Sequence, residues 1–172
     1  MKMIEVLKKG HSRSLRTKIV SHIGDDAVRF KELVNLYLDG PYRITQRAAW
    51  PLSYCVQKHP HLVKSHLKTL INFLDRPDTH VAVRRNTVRL LQFIDLPKSL
   101  QAKVADICFA FLSDRKEPVA VRVFSMTVLA NIAREQPDLR NEIVIQIEDH
   151  LPYGSSAFKN RGARILKQLK GR

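Results

Sequence analysis

Asp75–Arg84 reads DRPDTHVAVR, and Asp114–Arg122 reads DRKEPVAVR. The tetrapeptide Val81-Ala82-Val83-Arg84 returns letter for letter as Val119-Ala120-Val121-Arg122, 38 residues further on. Self-similarity at a period of roughly 20–50 residues marks a stack of units, each burying its apolar face against a neighbour. The repeat decides the architecture and leaves the activity open.

Outward from this pair, the prolines keep the same beat. Pro60, Pro97 and Pro137 each close one apolar-periodic segment and open the next, while Pro41, Pro77, Pro118 and Pro152 fall halfway between. Proline lacks a backbone donor and clashes with the preceding turn, so these are places where a helical chain must bend back. Between them the apolar residues recur at helical spacing, as in Leu100, Val104, Ile107 and Phe111, or Val83, Thr87, Leu90, Leu91 and Ile94. No alternating run calls for a strand. The spacing predicts helices near 2–9, 13–23, 27–38, 43–58, 62–74, 80–95, 98–112, 119–135, 139–150 and 156–170. They pair as hairpins 27–58, 62–95, 98–135 and 139–170, with residues 1–24 capping the open end of a single domain, 1–172.

A chain of 172 residues with 44% hydrophobic composition can bury a substantial core. No apolar run approaches the ~18 residues of a membrane span, and the charged N-terminus lacks a signal-peptide core. Cys55 and Cys108 sit among apolar neighbours and read as buried free thiols, so a cytoplasmic protein is expected. The formal net charge is +14. Residues 1–18 carry six Lys or Arg against one Glu, and residues 155–172 carry six with no acid. The stretch between holds 18 basic and 15 acidic residues, so the excess reads as a property of the two ends. Such a charge favours an anionic partner, although basic helix faces also serve solubility alone.

Laid side by side, the units share a pattern: an apolar helix, a turn carrying Asp39, Asp75, Asp114 or Asp149, then Arg47, Arg84, Arg122 or Lys159 entering a second apolar helix. This pattern resembles the HEAT repeat family over residues 27–170. The resemblance implies an all-α, right-handed α-α superhelix of about four to five helical hairpins. It also implies that Asp39, Asp75, Asp114, Arg84 and Arg122 form a structural ladder between units. In physical terms, an aspartate just before a helix would accept from its unpaired N–H groups, and an arginine one turn in could fork onto that carboxylate.

A second, shorter resemblance lies in Gln46–Tyr54, QRAAWPLSY, which holds the chain's one tryptophan and a proline, Pro51, inside a predicted helix. The segment is similar to QRAA-type segments of helical-repeat alkylpurine DNA glycosylases, which implies that Arg47 meets a phosphate and Trp50 a base or sugar. It departs from that family's catalytic centre, which needs an aspartate beside further tryptophans. From the residues themselves, Trp50 is either a core aromatic at a kink or a contact aimed outward. Pro51 predicts that its helix bends or starts late near Trp50.

A catalytic constellation is missing. His59, His61 and His66 cluster at a turn without a cysteine near them, and no phosphate-loop, nucleophile-elbow or HExxH motif occurs. No cofactor, metal or enzymatic activity is expected. The reading is a scaffold that binds a protein partner on its concave face; the alternative is a nucleic-acid-binding module. Candidate binding residues are Arg47, Trp50, Arg85, Arg89, Arg161, Arg164 and Lys167. Arg85 and Arg89 have Val123 and Thr127 as counterparts 38 residues on and Ala48 and Leu52 as counterparts 37 back, which reads as an interrupted basic stripe.

Overall fold

A computed structural model describes residues 1–171. Among them the chain forms ten α-helices and no strand: α1 Met3–Lys8, α2 Arg13–Ile23, α3 Ala27–Asp39, α4 Tyr42–Lys58, α5 Leu67–Leu74, α6 Val81–Leu91, α7 Lys98–Ser113, α8 Val119–Ile132, α9 Arg140–His150 and α10 Ser156–Lys170. Short 3-10 stretches, Pro60–His66 and Pro137–Leu139, lead into α5 and α9. Among the described residues no helix is long and apolar enough to cross a membrane. The chain divides into two compact units, Met1–Ile94 and Asp95–Arg172.

In the first unit each odd-numbered helix is followed by an antiparallel partner, and the partners α2, α4 and α6 pack side by side. Helix α4 is the hub, touching α1, α2, α3 and α6. Its inward face, Ala48, Ala49, Leu52 and Val56, is closed against Phe30, Leu33, Val34 and Tyr37 of α3 and Val83, Val88 and Leu90 of α6, all fully buried. Polar ties cross this core: the hydroxyls of Tyr37 and Thr87 lie 2.6 Å apart, and the Ser53 hydroxyl donates to Asn86 Oδ1 at 3.4 Å. Pairing satisfies these groups, and leaving one alone there would cost about 1–3 kcal/mol. In the second unit α7 packs on α8, and α8 on α10. A side chain at Gly162 would place its Cβ 3.1 Å from both Ile147 and Leu151, so the glycine sets the close approach of α10 to α9.

The helix starts differ from expectation in two respects. Helix α5 begins at Leu67 and not near 62, because the chain before it forms the 3-10 stretch Pro60–His66. Asp39 is the last residue of α3, and Asp75 and Asp114 are the C-caps of α5 and α7. They end the first helix of each hairpin and do not begin the second, because other residues stand at the N-cap positions. Pro41 and Pro118 precede α4 and α8, and His80 caps α6 by accepting at Nδ1 from the Ala82 N–H. Asp114 instead accepts from the Lys116 N–H within the turn.

The repeat arginines all reach main-chain carbonyls. Arg47 Nη1 donates to Leu7 O and Lys8 O at the C-terminus of α1, both at 2.9 Å. Arg84 Nη1 donates to Thr79 O at 2.5 Å, and Arg122 Nε to Leu112 O near the end of α7 at 3.0 Å. At Arg47 and Arg122 the cation meets carbonyls at a helix C-terminus, satisfying orphan acceptors and the negative end of the dipole, whereas Arg84 meets a turn carbonyl ahead of its own helix. Arg122, 8% exposed, also lies 4.5 Å over the Phe158 ring, so it ties α8 to both α7 and α10.

Pro51 does not delay its helix. Helix α4 begins at Tyr42 and runs unbroken through Pro51 to Lys58. The proline ring is buried, and two residues on the Ser53 hydroxyl donates to Trp50 O at 2.8 Å. Helix α6 ends earlier than its apolar period implies. Arg89 O takes both the Gln92 N–H and the Gln92 side-chain amide, which competes with continued helix.

Candidate nucleic-acid interface

Charge in this chain is sorted by helix. The second helices of the hairpins, α2, α4, α6, α8 and α10, contain fifteen Lys or Arg and no Asp or Glu. The first helices, α1, α3, α5, α7 and α9, contain seven of each sign. Within the first unit the side-by-side layer of α2, α4 and α6 holds nine cations and no carboxylate. The sequence reading, which summed charge over whole segments, averaged this away and assigned the excess to the ends. Counting helix by helix exposes it.

On that layer an aromatic stripe on α4 organises the cations. Arg47, Trp50, Tyr54 and Gln57 follow one another at helical spacing and are half-buried or exposed, whereas Ala48 and Leu52 point into the core. The apparent interruption of a basic stripe at Ala48 and Leu52 is therefore an offset of register: the residues of α4 beside Arg85 and Arg89 are its neighbouring outward ones. Arg16 of α2 lies 3.9 Å over the Tyr54 ring and 4.8 Å over the Trp50 ring. Arg89 of α6 lies 4.2 Å over Tyr54 and 5.2 Å over Phe93. Cations over ring faces are attracted by the quadrupole, which holds two guanidinium groups near each other without a counter-ion.

Arg89 is further fixed. Its Nη1 donates to Ser53 O and Oγ at 3.3 and 3.2 Å, and its Nη2 to Gln57 Oε1 at 2.5 Å. Burial, and then the charge of Arg16, lower its pKa. His11 stacks on Trp50 with ring centroids 4.6 Å apart. Its pKa is lowered by partial burial first, then by Arg85 and Arg47.

Trp50 is thus half-buried, one neighbour being His11 and another Arg16, and its setting lies between core and open platform. Of the candidates from sequence, Arg47, Trp50, Arg85 and Arg89 come together in the first unit. Arg47 is committed to the α1 carbonyls, and Arg85 is exposed. In the second unit Arg161 Nη1 donates to Thr127 Oγ1 at 2.6 Å, joining α10 to α8, while Arg164 and Lys167 are exposed on α10. Sequence reading missed His11, Arg16, Tyr54 and Gln57. The signal that would have found Tyr54 is its four-residue spacing from Trp50, but the partner helices that supply His11 and Arg16 need the fold.

Among the described residues no group of three or more His, Cys, Asp or Glu is placed to hold a metal ion. His59 and His61 both approach Asp25, at 3.4 and 2.6 Å. A family model described as a HEAT repeat domain matches residues 3–169. No curated protein and no solved structure matches the chain.

Proposed function

The chain belongs to the HEAT repeat family, and we propose that it is a non-catalytic scaffold whose second-helix layer binds nucleic acid through the phosphate backbone. HEAT repeat proteins are typically non-enzymatic and generally mediate protein–protein interactions. The observation that carries the proposal is the absence of any carboxylate on α2, α4 and α6 beside nine cations. An acid-free cationic surface of this kind raises the local concentration of polyanions and presents no carboxylate to repel a phosphate. Arg16, Arg85 and Arg89 are the phosphate contacts, with Arg164 and Lys167 serving the second unit. Trp50 is engaged by His11 and Arg16, which favours backbone contact over base stacking.

A protein partner on the same layer is the second reading, favoured by the habit of the family. Such a partner would present an acidic surface. Fluorescence anisotropy with a labelled 20-base-pair duplex of arbitrary sequence, competed by poly-glutamate, separates the two. Binding that poly-glutamate fails to displace at equal charge supports nucleic acid. Absence of duplex binding at low salt removes that reading.

A further inference from the structure

The second unit carries a groove of opposite character on its first-helix side. Helix α7 supplies one wall as a straight stripe, Lys98, Ala102, Ala105, Asp106 and Phe109, about 16 Å long at 1.5 Å per residue. The facing wall is the end of α8, the 3-10 stretch and the start of α9: Ile132, Asp138 and Leu139, and Glu142. The space between is about 490 Å³. Its floor is apolar, with Ala105 and Ile132 buried and Phe109 and Leu139 half-buried. Ala102 is exposed, so nothing bulky stands in the way of a segment approaching α7 closely.

One side is closed by a polar network. Gln101, 4% exposed, donates from Nε2 to Leu96 O and to Glu135 Oε2, both at 3.0 Å, and accepts from Gln136 Nε2 at 3.2 Å. The rim holds three exposed carboxylates, Asp106, Asp138 and Glu142, against one lysine, Lys98. In a chain of net charge +14 this is a local reversal of sign.

We propose that this groove is a docking site for a basic amphipathic helix of a partner protein. The length of the α7 stripe matches about three helical turns. An apolar floor takes the residues such a helix repeats at i, i+3 or i+4 and i+7, and the acidic rim pairs with flanking Lys or Arg. The same rim repels nucleic acid, so this surface and the second-helix layer serve different ligands. The inference stands independently of the nucleic-acid reading.

The test is selection of a helix-biased peptide display library on the full chain, followed by affinity measurement on variants. Enriched peptides should be basic, with apolar residues at helical spacing, and should lose tenfold or more in affinity on Ala102→Trp, which fills the groove. The double variant D106K/E142K, at two exposed positions, should weaken them similarly, and it carries the test if Ala102→Trp fails to fold. Duplex binding should be unchanged by Ala102→Trp, which alters no charge. Enrichment of acidic peptides, indifference to these variants, or no enrichment at all would overturn the proposal. So would self-association of the chain that Ala102→Trp abolishes, since the occupant would then be a second copy.

Discussion

The Arg16 guanidinium lies 3.9 Å over the ring of Tyr54, so α2 is fastened to α4 by a cation on an aromatic face with no carboxylate involved. Arg89 reaches the same ring from α6 at 4.2 Å. Tyr54 therefore gathers two positive groups that would otherwise repel each other.

Replacing the ring tests this role. Tyr54→Ala should weaken duplex binding by roughly two- to thirtyfold, in line with about 0.5–2 kcal/mol for cation–ring contacts. Tyr54→Phe keeps the ring face and should bind like the parent. Equal loss in both variants would mean that the hydroxyl matters and the ring does not.

Arg122 should behave as a structural residue. Arg122→Ala removes the donor to Leu112 O and the cover over Phe158, and should cost about 1–3 kcal/mol of stability. Thermal unfolding should shift down by several degrees while duplex affinity stays constant. An unchanged melting temperature with weakened binding would reverse the assignment.

The two thiols should be inert in the native protein. Burial pushes Cys55 and Cys108 up to about 12, so neither is a thiolate near neutrality. A thiol-specific chromogenic reagent at pH 8 should titrate no thiol until denaturant is added, and then two. Rapid reaction of either cysteine in the folded state would contradict the buried setting.

The pH dependence follows from three histidines. His11, His66 and His150 are each held below the ordinary value of 6.5, in every case by burial first. The unfolded chain then binds more protons than the folded one as pH falls through that value, so stability should decline from pH 7 toward pH 5. Binding runs the other way at His11. A bound anion offsets Arg85 and Arg47 and favours the imidazolium, so duplex affinity should strengthen between pH 8 and pH 6 with proton uptake. His11→Gln should flatten that dependence, and calorimetry in buffers of different ionisation enthalpy reads the uptake directly.

Much of the fold was legible because the repeat is written twice in nearly the same letters, at Val81–Arg84 and Val119–Arg122, and because proline marks the turns. The helix bounds near Pro41, Pro97 and Pro118 follow from that punctuation. The role of the turn aspartates was not legible. A carboxylate three to six residues before the next helix looks like a cap in sequence, yet Pro41, His80 and Pro118 occupy the capping positions. The QRAA resemblance implies a phosphate contact for Arg47, while its acceptors in the fold, Leu7 O and Lys8 O, lie some forty residues away in sequence and leave no local signal. The groove beside α7 gave no signal, since its walls are joined only by the packing of α7, α8 and α9.

The salt dependence of duplex affinity tests the second-helix layer most directly. The logarithm of the association constant should fall linearly with the logarithm of salt concentration, with a slope of about 0.9 per neutralised phosphate. Neutralising Arg16, Arg85 and Arg89 together, as R16Q/R85Q/R89Q, should weaken binding and reduce that slope by about two to three. Lys31→Gln with Lys68→Gln, on the first helices α3 and α5, should leave both nearly unchanged. Equal effects from the two sets, or a slope that ignores the triple variant, would contradict the account.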